Sequence, residues 1–347
     1  CLIFSTVLYT QGMWNRLRVP IQMKGTVGLG YDNNFLRLSN NEIKQEDVRE
    51  YGISSTLDSP ILKPKIKFIY SPEVIGGKTT NIITSISYSH FNRAAHKSYL
   101  ITNLSLELKL RSYSWLKIGI RDIPKYYLRD YHDRDLSNID YFNCTFSSQK
   151  YFGSYSLPIK WIRKTWMRVY AEYAKEYYNP NFTEFDLNKW MLQIEMNHRF
   201  KKRHKMKLSI AHGYADNATY GSNQSSTSFD RSYIYEKVQG EFVNSLKQIR
   251  KIDQTGISIQ LEQRYYDLIS NHYSFDNWKY YLDGRIKLWI NWDLMENINI
   301  RTWYQYRWRD ADSQLFGDFE WVEDIKSYTK HEFWLEFSYE FITDILY

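Results

Sequence analysis

Apolar and polar residues alternate strictly, one for one, along most of this chain, and that period admits very few backbones. Between positions 100 and 111, Leu100, Leu104, Leu106, Leu108 and Leu110 share one parity, while Glu107, Lys109 and Arg111 share the other. Toward the end, Phe333, Leu335, Phe337, Tyr339, Phe341, Thr343, Ile345 and Tyr347 alternate with Lys330, Glu332, Trp334, Glu336, Ser338, Glu340 and Asp344. A helix would spread both sets around its axis. A strand sends successive side chains to opposite faces, so each of these segments has one oily and one polar face.

Fourteen such segments are found, at 23–31, 62–71, 80–91, 98–111, 114–122, 144–156, 164–175, 186–199, 204–215, 232–244, 254–266, 277–291, 297–309 and 328–346. The third, sixth, seventh and tenth carry weaker alternation, so twelve to sixteen strands fit. The segments are long, and about 9–11 tilted residues cross a bilayer. Their connections alternate in length, weakly at first, where 72–79 and 92–97 are both modest, and more strongly after Ser112-Tyr113, with 176–185 of medium length. The intervals 32–61, 123–143, 216–231, 267–276 and 310–327 are long, whereas Ser112-Tyr113, 157–163, 200–203 and 292–296 are short. A soluble sandwich has no reason to sort its loops by parity. An up-and-down barrel with both termini on one side of a membrane does.

Composition agrees. The 347 residues include 31 Tyr, 12 Trp and 18 Phe, side chains with apolar bodies suited to a membrane–water boundary. No run approaches the roughly 20 apolar residues of a spanning helix. The mean hydropathy of −0.58 suits a barrel, in which only alternate residues face lipid. Strands in lipid must pair every backbone group, so the sheet must close and the first strand must meet the last. Met23, Val27, Leu29 and Tyr31 then face out, with Lys24, Thr26, Gly28, Gly30 and Asp32 inward. Outward Tyr31, Tyr88, Trp190, Tyr214, Tyr265, Trp278, Trp292, Tyr306 and Trp308 lie near strand ends, where interfacial girdles form. Pro64, two residues inside its segment, is the awkward position.

The aromatic-terminated last strand resembles the closing strand of Gram-negative outer-membrane β-barrels. The opening Gly28-Leu29-Gly30-Tyr31-Asp32-Asn33-Asn34 is similar to the first strand and loop of several such families, porin-like and polysaccharide-associated ones among them. The resemblance covers nearly the whole chain after Gly12. It implies an all-β, transmembrane, antiparallel up-and-down barrel in the outer membrane with both termini periplasmic. Outer-membrane lipid and lipopolysaccharide become the expected surroundings, and the barrel-assembly machinery the expected reader of the C-terminal strand. Self-association is compatible with this and not specified by it. Residues 1–12 are assigned to a signal-peptide remnant, from the apolar run Leu2–Tyr9 and small residues around Gly12, and 13–347 to a single barrel domain. A short buried strand is the alternative for the first twelve.

The inward parity gathers ionic side chains. Lys109, Arg111, Arg121, Arg168, Arg199, Arg264, Arg285, Lys287, Arg301, Arg307, Glu332, Glu336 and Glu340 are the candidate lumen-lining residues. They fit either a water-filled passage that screens solutes by charge, or cross-strand pairs that brace the wall, with Arg301 and Arg307 opposite Glu332, Glu336 and Glu340. The net charge of +7 favours anions. Inward Trp115, Trp166, Tyr170, Trp289, Trp303 and Trp334 would narrow the bore, so an open and a blocked lumen both stand. The expected function is porin-like diffusion of small polar or anionic solutes; the alternative is a non-conducting barrel whose outer loops bind polysaccharide, lipopolysaccharide or a protein.

Other chemistry finds little support. The basic residues form no block that would track nucleic-acid phosphates. Cys1 and Cys144 make neither a disulfide framework nor a metal signature. Acidic loops at Asp130–Asp140 and Asp310–Asp324 lack EF-hand spacing, so calcium binding is weaker than solvated loop charge. His90 and His212 have no identifiable serine partner, so no enzyme activity and no cofactor are expected.

Overall fold

The computed structural model describes residues 17, 19–45, 54, 56–74, 78–132, 141–200, 203–219, 231–249, 252–266, 279–313 and 327–343. Fourteen strands account for most of them: β1 (Ile21–Asp32), β2 (Ser59–Tyr70), β3 (Thr80–Phe91), β4 (Tyr99–Arg111), β5 (Ser114–His132), β6 (Tyr141–Pro158) and β7 (Thr165–Tyr178), then β8 (Leu187–Phe200), β9 (His204–Asn217), β10 (Tyr233–Ile249), β11 (Ile252–Tyr266), β12 (Lys279–Met295), β13 (Ile298–Ser313) and β14 (Tyr328–Thr343). Each pairs antiparallel with its chain neighbours, and β1 pairs with β14, so the sheet closes into a barrel. The closing ladder runs from Ile21 opposite Thr343 to Asp32 opposite Glu332. Closure leaves no edge carrying unpaired N–H and C=O groups.

The faces sort as the alternation requires. Ile118, Leu192 and Ile210 point outward with 53%, 55% and 67% of their surface uncovered, although they belong to fully paired strands. Tyr151, Tyr173, Trp190 and Tyr214 are successive register neighbours on β6, β7, β8 and β9 and form a continuous aromatic stretch on that outer face. Inward, Trp334 lies flat over Gly30, where a Cβ would come within 2.5 Å of the indole. Trp289 covers Gly256 in the same way. The missing side chains let these large rings lie against the wall instead of across the bore.

Two departures from regularity have local causes. Pro64 sits inside β2, and the β2–β3 pairing lapses between Leu62–His90 and Lys65–Ser87 without a shift of register, because proline brings no N–H to the ladder. β5 continues past 122 to His132, through irregularities at Ile123/Tyr126, which contains Pro124, and at Tyr127/Asp130, and pairs there with an equally extended β6. The long connection expected at 123–143 is therefore mostly a two-stranded arm, with 133–140 between its strands.

Short connections (112–113, 201–203, 250–251, 296–297) gather at one end of the barrel, and 33–58, 218–232, 267–278 and 314–327 at the other. We refer to these as the turn end and the loop end. The 1–12 segment, Cys1, Trp278, Asp344, Ile345 and Tyr347, and most of both acidic loops lie outside the described residues.

Candidate functional site

The loop after β1 does not extend away from the barrel but folds into its loop end, and the sequence Asp32-Asn33-Asn34 directs it there. Asp32 accepts from the backbone N–H of Asn34 (3.1 Å), a local side-chain turn that reverses the chain. Asn33 Oδ1 accepts from the N–H of His331 on β14 (2.7 Å). The Asn34 amide donates to the carbonyls of Leu38 (2.8 Å) and Thr329 (3.0 Å), and its oxygen accepts from Leu38 N–H (2.9 Å). Arg37 completes the reversal in the left-handed region, at φ 59°. Phe35, Leu36 and Leu38 are consequently buried against Ile61, Phe91, Tyr127 and Trp334. This is the larger of two apolar clusters among the described residues; the other gathers Leu187, Ala215, Tyr233 and Tyr235.

A single-turn helix, α1 (Asn40–Gln45), follows. Ser39 and Glu42 form a reciprocal N-terminal cap: Ser39 N–H donates to Glu42 (2.7 Å), and Glu42 N–H donates to Ser39 Oγ (3.0 Å). Glu42 also accepts from Arg129 on the β5 arm through both of its carboxylate oxygens, at 3.0 and 3.1 Å. Lys97, in the β3–β4 connection, is sealed beneath: its amine donates to the carbonyls of Tyr127 (2.6 Å) and Leu128 (2.8 Å) and lies 4.5 Å from the Tyr126 ring centre. Burial pulls this amine well below the ordinary lysine range, and the positive charges of Arg37 and Lys330 act in the same direction.

Behind this cap lie two lumen cavities walled by the described residues. The one nearer the loop end, about 340 Å³, is walled by arginines and tyrosines, Arg264, Arg307, Arg309, Tyr233, Tyr281 and Tyr328 among them. Asp283 is the hub of its wall: Arg309 reaches it at 2.9 Å, and Arg264 and Arg307 at 3.5 Å. Glu262 holds the other side of Arg264 at 2.7 Å, and Glu176 holds Lys189 at 2.6 Å. The second cavity, about 490 Å³, lies between β12–β14 and β1–β5. Lys24, Lys63, Lys65, Arg121 and Arg301 line it, with Glu336 the carboxylate of that lining.

The thirteen lumen residues chosen from parity thus divide by depth. Arg264 and Arg307 belong to the loop-end cavity, and Arg121, Arg301 and Glu336 to the other. Lys287 lies 3.6 Å from the Trp303 ring centre, and Arg285 bonds Gln260. Arg168 pairs with Glu195 at 3.4 Å. Lys109, at 5.7 Å from the Trp115 ring, stands with Arg111 and Arg199 close to the turn end. Glu332 takes Lys330 at 3.0 Å, beside the 2.5 Å pair of Lys330 with Asp32, and Glu340 lies 3.8 Å from Lys24.

Bracing across the last strands is therefore real but runs between other partners than parity suggested. Arg301 stands opposite Glu336 in register, yet Glu336 accepts from the Trp303 indole (2.9 Å), and Arg301 makes no ion pair among the described residues. Arg307 turns to Asp283 on β12 instead of to β14. Sequence reasoning missed Arg37, Glu42, Lys97 and Arg129, all contributed by connections or the β5 arm. The Ser39-x-x-Glu42 spacing was the available signal for α1.

His90 does meet a serine, Ser98 Oγ lying 3.3 Å from its Nδ1, but such imidazole–hydroxyl contacts occur without the remainder of a nucleophile's apparatus among the described residues. Ser54 Oγ is 2.7 Å from His96 Nε2, but Ser54 is 4% exposed, and no hydrogen bond orients the other His96 nitrogen among the described residues. His212 lies 3.8 Å from Glu236, on the outer face of the wall.

No family model matches this chain, and no curated protein matches it. Solved structures similar to it include an anion-selective porin from Comamonas acidovorans, at 7% identity and a TM-score of 0.44, covering 92% of this chain and 98% of that one. OccAB4 of Acinetobacter baumannii is similar at 9% identity and a TM-score of 0.41, covering 94% and 100%. A bacterial polysaccharide outer membrane secretin is similar at 8% and 0.40, covering 91% and 98%. Similarity at this level leaves the barrel's own geometry as the ground for function.

Proposed function

We propose that this barrel sits in the outer membrane of a Gram-negative cell and passes small anions through a lumen narrowed by its first long loop. The membrane placement is supported by the outer belt of uncovered Leu, Ile, Val, Phe and Tyr side chains around the wall. Water-soluble monomers rarely expose contiguous apolar patches beyond a few hundred Å². The turn end, which collects the short connections, then faces the periplasm, and β14 offers its aromatic outer row to the assembly machinery. Outer-membrane lipid and lipopolysaccharide would cover the belt.

The observation that carries the anion preference is the cavity of about 490 Å³, in which Lys63, Lys65, Arg121 and Arg301 have no carboxylate within ion-pair distance among the described residues. Fixed positive charge in a narrow aqueous passage attracts anions and repels cations. Transport needs no activated nucleophile. Reconstitution in planar bilayers tests the reading: a KCl gradient should give a reversal potential of the sign for chloride selectivity. A silent membrane across a wide voltage range would overturn conduction.

The inserted loop 33–45 favours a second reading, a closed barrel that binds ligands at its loop end. Glycan binding by a protein that stays electrically silent, lost when 218–232 and 314–327 are shortened, would support it.

A further inference from the structure

We infer that the cavity of about 490 Å³ is a binding site for hydrogen phosphate, free or as the terminal group of a small phosphomonoester. The inference rests on the reading of the lumen as a solute path, but occupancy of the site can be measured without any current.

The first argument is charge. Lys63 and Lys65 project from β2, Arg121 from β5 and Arg301 from β13 into one enclosed space, and none of the four has an ion-pair partner among the described residues. Elsewhere the wall compensates its cations closely, as Asp283 does for Arg309, Glu176 for Lys189 and Glu172 for Lys150. Like charges gathered in a confined space repel one another unless a counter-charge joins them. A multivalent anion supplies it.

The second argument is donor geometry. The Nε–H groups of Arg121 and Arg301 are buried and donate to nothing among the described residues. A guanidinium presents its donors in a planar fork suited to the oxygens of a phosphoryl group. Asn103, Asn299, Ser87 and Thr26 add neutral polar groups around the same space.

The third argument separates phosphate from other oxyanions. Asn291 and Glu336 both line this cavity; Asn291 Oδ1 is buried with no donor among the described residues, and one oxygen of Glu336 is held by Trp303 at 2.9 Å. These are acceptors, and an acceptor needs a proton on the ligand. Hydrogen phosphate carries a P–OH at neutral pH and can donate it; sulfate and chloride cannot. The volume equals that of about sixteen waters at about 30 Å³ each, which leaves room for a short ester chain.

Equilibrium dialysis of the purified full chain in detergent micelles against radiolabelled inorganic phosphate tests this. Saturable binding of one phosphate per chain is expected, with sulfate competing at least tenfold more weakly. Arg301→Gln should weaken phosphate at least tenfold, and Glu336→Gln should narrow the preference over sulfate. Competition by glycerol phosphate would extend the site to monoesters, and its failure to compete would confine the site to the inorganic ion. If Arg301→Gln does not reach the folded, heat-modifiable form, Lys65→Gln, whose amine stands free in the lumen, carries the same expectation. Absence of saturable phosphate binding, or equal competition by sulfate, overturns the proposal. A silent bilayer with phosphate binding intact removes conduction and leaves the site; anion current without phosphate binding removes the site alone.

Discussion

Arg129, on the arm of β5, grips the carboxylate of Glu42 in α1 at 3.0 Å, with 8% and 6% of the two side chains exposed. This pair fastens the first loop across the barrel's loop end, where Phe35, Leu36 and Leu38 already pack. Removing one partner of a buried pair leaves an uncompensated charge and costs about 3–5 kcal/mol. Glu42→Gln should therefore loosen the loop, raise single-channel conductance and speed proteolysis within 33–58. Unchanged conductance alongside faster cleavage would mean the loop is no barrier.

Asp283 holds three guanidinium groups, those of Arg264, Arg307 and Arg309. Asp283→Asn keeps the shape and removes the charge. The anion-to-cation permeability ratio should rise, and resistance to urea in vesicles should fall by a few kcal/mol, since Arg264 keeps Glu262 but Arg307 and Arg309 lose their carboxylate. A permeability ratio that fell would refute the assignment of this wall to the solute path.

The outer face can be probed by charge. Ile194 and Ile210 are register neighbours near the middle of β8 and β9, with 52% and 67% of their surface uncovered. Arginine at either position should cost about 2–4 kcal/mol in lipid, as expected near a bilayer midplane. Folding titrations in lipid vesicles measure it, and a neutral result would place this face in water.

How far the sequence carried the argument depends on which property is asked of it. Successive side chains of a strand point to opposite faces, so facing followed from alternation, and closure in lipid required the segment 23–31 to meet the last strand, as Ile21–Asp32 does. The β5 arm escaped because irregularities at Ile123/Tyr126 and Tyr127/Asp130 reset the parity on which such reading depends. The inserted loop escaped for another reason. Phe35, Leu36 and Leu38 have no period, and their burial is decided by tertiary contacts with Phe91 and Trp334. Ion-pair partners are less legible still: Arg301 faces Glu336 in register, but the Trp303 indole, two residues further along β13 on the same face, takes the carboxylate oxygen.

Packing of rings into missing side chains yields a stability test. Gly30→Val would push a Cβ to within 2.5 Å of the Trp334 indole and force it toward the bore. Overpacking of this kind costs about 1–3 kcal/mol. The variant should unfold at lower urea in vesicles, and the displaced ring should lower conductance. Gly25→Val, which meets nothing within 4 Å, is the control.

The β7–β8 connection should tighten in mild acid. Asp186 accepts from Tyr178 N–H at 2.6 Å, and burial lifts its carboxyl to about 6. A carboxyl raised in the folded state contributes stability that is complete below its unfolded value, about 3.9, and is lost as pH rises through about 6. Amide exchange around 179–186, corrected for intrinsic rates, should slow between pH 7 and pH 5. Asp186→Asn should abolish that dependence; a slope that persists would assign it to another group.

Side-chain bonds across the β1–β14 junction join residues from opposite extremes of the chain: Gln22 with Glu340, and Thr26 with Ser338 at 2.9 Å, 312 positions apart. No local hairpin can form this seam early, because the intervening dozen strands must first be threaded and curled to bring its two lips together. Biogenesis of this cylinder therefore ends with β1 meeting β14, and a lesion confined to either of the two leaves two sticky edges open at once.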